Sequence, residues 1–158
     1  MMVESLAEQI IHTIDQADQL YYRLILVVAP GGMGKTMALR EVAKRTKFGY
    51  ININLELSQR LLGLTERQRS LQVFRLLNEI VEGNGTQVVL LDNIELLFDT
   101  SLKQDPLRLL QGISRNRTVV ASWNGSIEHE HLIYAQPDHP EYRRYPTTGL
   151  LVIGDKVG

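Results

Sequence analysis

The chain contains no cysteine. That excludes a disulfide framework and any thiolate ligand or nucleophile, and makes a cytoplasmic home the default expectation. No uninterrupted apolar run approaches the ~18 residues a membrane-spanning helix needs, so no membrane association is expected. Met1 to Glu8 carries acids where a secretory leader would carry a basic region and an apolar core, so no leader is expected either. Excess charge is missing as well: a net charge of −1 gives no global case for nucleic acid. The distribution is less even, because Lys35 to Arg75 holds nine basic and three acidic residues. This stretch reads either as solvated helix faces or as a surface for nucleic acid or an acidic partner, so DNA contact stays open. What the chain does have is apolar material. With 44% hydrophobic residues over 158 positions it can wrap one central sheet, and a single domain over 1–158 is expected.

Local patterns place the elements. Val3 to Tyr21 spaces Leu6, Ile10, Ile11 and Ile14 for one face of a helix packing on the core, within an N-terminal segment 1–21. Arg23 to Ala29 reads as a buried strand, and Gly34 to about Thr46 as a helix burying Ala38, Leu39, Val42 and Ala43. Tyr50 to Leu55 alternates apolar and polar residues, as a half-covered strand does. Thr65 and Gln68 form a capping box for a helix to about Glu82, with Leu71, Phe74, Leu77 and Val81 as its expected buried face. Gln87 to Leu91 is an apolar run ending in Asp92, the pattern of a parallel strand covered on both sides. Asp105 and Pro106 read as N-cap and first residue of a helix to about Ser114. Arg117 to Trp123 and Gly149 to Ile153 supply the fourth and fifth strands. Ile127 to Thr148 reads as a long loop, with three of the four histidines. His129, His131 and His139 match no zinc spacing, and a solvated polar loop is the expected reading. Strands alternating with helices predict a three-layer α/β fold with a five-stranded parallel sheet.

Between the first strand and its helix lie Ala29, Pro30, Gly31, Gly32, Met33, Gly34, Lys35 and Thr36. Strand, glycine-rich loop, Gly-Lys-Thr and helix together form a Walker A phosphate loop. The glycines let backbone N–H groups face a phosphate chain, and the helix N-terminus favours anions. Lys35 is expected to reach the β- and γ-phosphates and Thr36 to ligate Mg²⁺, with Met37 closing the ATP-contacting set. Lys35 is expected to have no protein partner until phosphate arrives. Ala29 stands where the first glycine of the pattern usually falls, and a small residue keeps the tight exit from the strand.

Val88 to Asp92 reads as a Walker B strand, with Asp92 holding Mg²⁺ opposite Thr36. Hydrolysis also needs a group that orients or deprotonates water. The residue after Asp92 is Asn93, which orients water but cannot take its proton. Glu95 is the candidate base if the chain turns at once into a helix. Otherwise it is an exposed carboxylate at a helix start, and either Asn93 alone positions the water or the site is nearly inactive. Asn124 lies at the end of the fourth strand, as a polar group for the γ-phosphate or as half of an Asn-Gly turn.

The Gly-Gly-Met-Gly-Lys-Thr loop is similar to those of AAA+ and STAND ATPases. With Val119 to Gly125 and Tyr134 to Arg143, nearly the whole chain resembles the BrxF family, small P-loop proteins of type 3 BREX phage-defence systems. The resemblance implies an AAA+-like core without a C-terminal helical lid, and a bacterial cytoplasmic ATPase that self-associates or works beside other defence proteins. It also implies a sensor role for Asn124 and an arginine finger, acting on a neighbouring subunit's nucleotide, at Arg143 or Arg144. The competing reading of those arginines is a surface pair with Glu141 or Asp138. Two other functions remain in play. One is a P-loop kinase, although Ser114 to Thr118, with Arg115 and Arg117, is short for a lid; the other is a nucleotide-dependent binding module that does not hydrolyse.

Overall fold

The computed structural model describes residues 5–32, 34–154 and 156–157, so the expected helix start at Val3 and the loop residue Met33 lie outside the described residues. Helix α1 (Leu6–Ala17) is capped by Ser5, whose hydroxyl accepts from the Glu8 amide. Strand β1 (Leu24–Ala29) leads into helix α2 (Gly34–Thr46). Strand β2 (Gly49–Asn52), helix α3 (Ile53–Leu61), helix α4 (Glu66–Gly83) and strand β3 (Val88–Asp92) follow. Helix α5 (Pro106–Ile113) precedes strands β4 (Thr118–Glu128), β5 (His131–Tyr134), β6 (Arg143–Pro146), β7 (Leu151–Gly154) and β8 (Lys156–Val157).

The central sheet runs β2-β3-β4-β1-β7 with every pairing parallel. Period-two alternation sends Leu24, Leu26 and Val28 of β1 into one core with α3, α4 and α5. Ile25 and Val27 go into the other, against Ile10 and Ile14 of α1 and Leu39 and Val42 of α2. The result is the expected three-layer α/β fold. Among the described residues no helix follows β7, and none is long and apolar enough to cross a membrane.

Several local expectations hold. The Thr65–Gln68 capping box closes in both directions, and Asp105 caps α5 with Pro106 in its first turn. Others need correction. The strand expected over Tyr50 to Leu55 stops at Asn52, whose side chain accepts from the Leu55 amide and starts α3. Ile53, Leu57 and Leu61 then fall on one buried helical face, and that face outweighs the short alternation before it. On α4 the buried face is Val73, Leu76, Leu77, Ile80 and Val81. Leu71 is 72% exposed and Phe74 44% exposed, so of the expected face only Leu77 and Val81 are buried.

The segment expected as a loop from Ile127 is an antiparallel ribbon. Strand β4 continues to Glu128 and pairs with β5, which pairs with β6. Asn124 and Gly125 lie inside β4, so the Asn-Gly turn does not form. The reversal falls at His129 and Glu130, both in the left-handed region (φ 50° and 62°), as a two-residue hairpin turn requires. Gly125 permits the close approach of β5, since a Cβ there would stand 1.9 Å from the Ile133 carbonyl oxygen. That same carbonyl accepts from the Trp123 indole N–H at 3.1 Å.

Candidate active site

The phosphate loop hangs between a strand buried along nearly its whole length and the first turn of α2. Gly32 takes a φ of 144°, a conformation that residues with a Cβ rarely adopt. Lys35 is 4% exposed. Its Nζ donates to the carbonyls of Ala29 at 2.9 Å and Pro30 at 2.8 Å, so the expectation that it lacks a protein partner is corrected. A buried ammonium needs acceptors, and its own loop provides them. Burial lowers the Lys35 pKa, while the negative charges of Asp92 and Glu95 oppose that shift.

Asp92, 3% exposed, ends β3 facing the loop. Its Oδ2 accepts from the Thr36 hydroxyl and the Tyr50 hydroxyl, each at 2.6 Å. Its Oδ1 accepts from the Ser122 hydroxyl at 2.8 Å and the Asn93 amide at 3.0 Å. Burial alone would raise the Asp92 pKa, but the four hydrogen bonds outweigh it and hold the group below the usual carboxylate value. Thr36 and Asp92 therefore form a hydroxyl–carboxylate pair, the hard oxygen donor set that suits Mg²⁺. Tyr50 and Ser122 were missed as partners of Asp92. Ser122 falls in the run that forms strand four, whereas only the β2–β3 register brings Tyr50 to Asp92.

Beyond Asp92 the chain turns sharply. Asn93 sits in the left-handed region at φ 53°, a conformation asparagine tolerates, and its carbonyl accepts from the Asn54 amide at 2.8 Å. The Asn54 side chain in turn accepts from the Leu96 amide at 2.8 Å. The turn delivers a 3-10 helix over Glu95–Phe98, the condition under which Glu95 faces the site. Gly32, Lys35, Thr36, Asp92, Asn93, Glu95, Ser122 and Asn124 line one cavity of about 300 Å³. Burial raises the Glu95 pKa; Asp92 adds to the shift and Lys35 opposes it. A carboxylate so placed is a stronger base than one in water.

Met37 is 64% exposed on the outer side of α2. The two arginines point apart. Arg143 donates to the Gln104 carbonyl at 2.9 Å, while Arg144 lines a second cavity of about 560 Å³ that also touches Pro30, Gly31 and Asn124. Among the described residues neither forms the surface pair expected with Glu141 or Asp138.

A family model described as "ATPase family associated with various cellular activities (AAA)" matches residues 25–121, more than half of the chain. No curated protein matches the chain. Among solved structures, C. elegans PCH-2 aligns over 96% of this chain and 44% of its own, at 17% identity and a TM-score of 0.49. A structure on the basis of katanin self-assembly aligns over 64% of this chain and 33% of its own, at 22% identity and a TM-score of 0.39. The chain spans less than half the length of either.

Proposed function

The chain belongs to the AAA family of ATPases, and from that premise we propose that it binds ATP with Mg²⁺ and hydrolyses it in the cavity between the phosphate loop and β3. One observation carries the proposal: Lys35, Thr36, Asp92 and Glu95 converge on a single cavity at a helix N-terminus. Lys35 would exchange its two loop carbonyls for phosphate oxygens, which are stronger acceptors for an ammonium. Thr36 and Asp92 would hold Mg²⁺, which neutralises charge developing on the β- and γ-oxygens. Glu95, its basicity raised by burial, would take the proton of the attacking water, with Asn93 and Asn124 orienting water and γ-phosphate. No lid from Ser114 to Thr118 is in place to enclose an acceptor, which favours water over a small-molecule acceptor: α5 ends at Ile113 and β4 begins at Thr118.

The resemblance to the BrxF family extends the proposal to a nucleotide-driven switch or assembly subunit in anti-phage defence. Self-association is tested by molar mass in solution without nucleotide, with ADP and with a non-hydrolysable ATP analogue. The reaction itself is tested with γ-labelled ATP. Release of free labelled phosphate supports hydrolysis, label on an acceptor supports a kinase, and binding without turnover supports a nucleotide-dependent module.

A further inference from the structure

We infer that the exposed face of α4 is a two-fold contact surface, on which a second copy of this chain packs antiparallel and independently of nucleotide. Helical spacing puts Arg67, Leu71, Phe74, Asn78 and Glu82 on one stripe, away from the Val73, Leu77 and Ile80 face that enters the core. Leu71 and Phe74 are the two large apolar side chains in it, and both are exposed. Phe74 is held in place: a Cβ on Gly112 would stand 2.6 Å from its Cε2, so α5 backs one side of the ring while the rest faces solvent. An apolar anchor already fixed in one position loses little side-chain entropy on docking. The helix that presents it is fixed too, by the Thr65–Gln68 capping box and by the Gln104 side-chain amide, which donates to the Ser70 carbonyl at 2.8 Å.

The charges along the stripe select the occupant. Arg67 stands near its N-terminal end and Glu82 near its C-terminal end, about 22 Å apart at 1.5 Å rise per residue. Neither has an ion-pair partner among the described residues. Glu66 and Lys103 border the same depression as Arg67 and offset each other, which leaves that end positive. At the other end Asn78 Nδ2 donates to Glu82 Oε1 at 3.0 Å and steadies the carboxylate without neutralising it. The flanking Arg75 and Glu79 pair within the helix at 2.6 Å and add no net sign. A stripe positive at one end and negative at the other complements itself when reversed. The midpoint between Arg67 and Glu82 falls between Phe74 and Arg75, and Leu71 and Asn78 share that midpoint. A two-fold axis there sets Arg67 against the second copy's Glu82 at both ends, Leu71 over Asn78, and the two Phe74 rings side by side. A parallel pair would oppose like charges at each end. A uniformly acidic partner would repel Glu82, so a second copy fits this face better than the acidic partner that the basic stretch Lys35 to Arg75 suggests by itself.

Sedimentation equilibrium of the whole chain without nucleotide, from about 1 to 100 μM, tests the contact. Wild type should behave as a monomer–dimer equilibrium. Leu71→Gln changes an exposed helical position, so its melting temperature should match that of monomeric wild type while the dimer weakens about tenfold. Arg67→Glu and Glu82→Arg should each weaken the dimer about tenfold, because each sets like charges together at both ends. Both reversals suit the dipole of α4, so neither should unfold it. The double variant Arg67→Glu/Glu82→Arg should restore the wild-type association, the result that a merely structural role for either residue would not give. Lys35→Ala should dimerise as wild type does, which separates this contact from the nucleotide site. A wild type that stays monomeric throughout the range would overturn the inference. So would a dimer that forms only with ATP, a dimer indifferent to Leu71→Gln, or single reversals whose combination brings no recovery.

Discussion

Tyr50→Phe removes one atom from the site and tests how Asp92 is held. The Tyr50 hydroxyl donates to Asp92 Oδ2 at 2.6 Å, while its ring lies under the Arg40 guanidinium at 5.4 Å. Phenylalanine keeps that ring contact and loses the donor to Asp92 together with the hydroxyl's interaction with the Arg40 side chain. A hydrogen bond to a charged group contributes about 1.5–3 kcal/mol. Because Tyr50 is only half-buried and Asp92 keeps three other donors, the lower end applies: a loss of about 1–2 kcal/mol at neutral pH. The pH dependence has a definite sign. The folded-state pKa of Asp92 lies below its unfolded value, so the stability it contributes is present above the ordinary carboxylate pKa and disappears as pH falls through the lower folded value. The gap between wild type and Tyr50→Phe should therefore be full at pH 7 and shrink below about pH 4. Urea unfolding of both proteins across that range measures it. A gap of constant size at every pH would show that the tyrosine acts through packing and not through the carboxylate charge.

Glu95→Gln should keep ATP binding and lower turnover by ~10²–10⁴-fold, read by phosphate release. Since the Glu95 pKa is raised and a base must be deprotonated, the acid limb of kcat/KM should lie above the ordinary carboxylate range; full turnover in the variant would move the role to Asn93 or a partner's residue. Gly125→Ala should destabilise by about 1–3 kcal/mol in urea unfolding, because its Cβ would meet the Ile133 carbonyl oxygen and push away the acceptor of the Trp123 indole. Wild-type stability there would mean the ribbon is not packed as closely as described.

Much of the fold and site is carried by local chemistry and is legible without a structure. The phosphate loop, the carboxylate ending β3, the Thr65–Gln68 box and the Asp105–Pro106 start each depend on residues a few positions apart. What stayed hidden depends on pairing between distant segments. Tyr50 reaches Asp92 only because β2 lies beside β3 in a register that matches Asn52 with Asp92. The ribbon escaped because its reversal uses His129 and Glu130 in place of a glycine turn, while the Asn124-Gly125 dipeptide is strand. On α4 two apolar stripes compete at helical spacing, and only the neighbouring α3 and α5 decide between them.

The central claim is that this phosphate loop holds ATP through Lys35. Titration calorimetry of ATP with Mg²⁺ into wild type and Lys35→Ala tests it most directly. Lys35 would give the phosphates a charge-assisted contact in place of its two loop carbonyls, so the variant should lose about 2–5 kcal/mol of binding free energy while its circular dichroism spectrum stays that of wild type. Equal affinity in the two proteins would contradict the account.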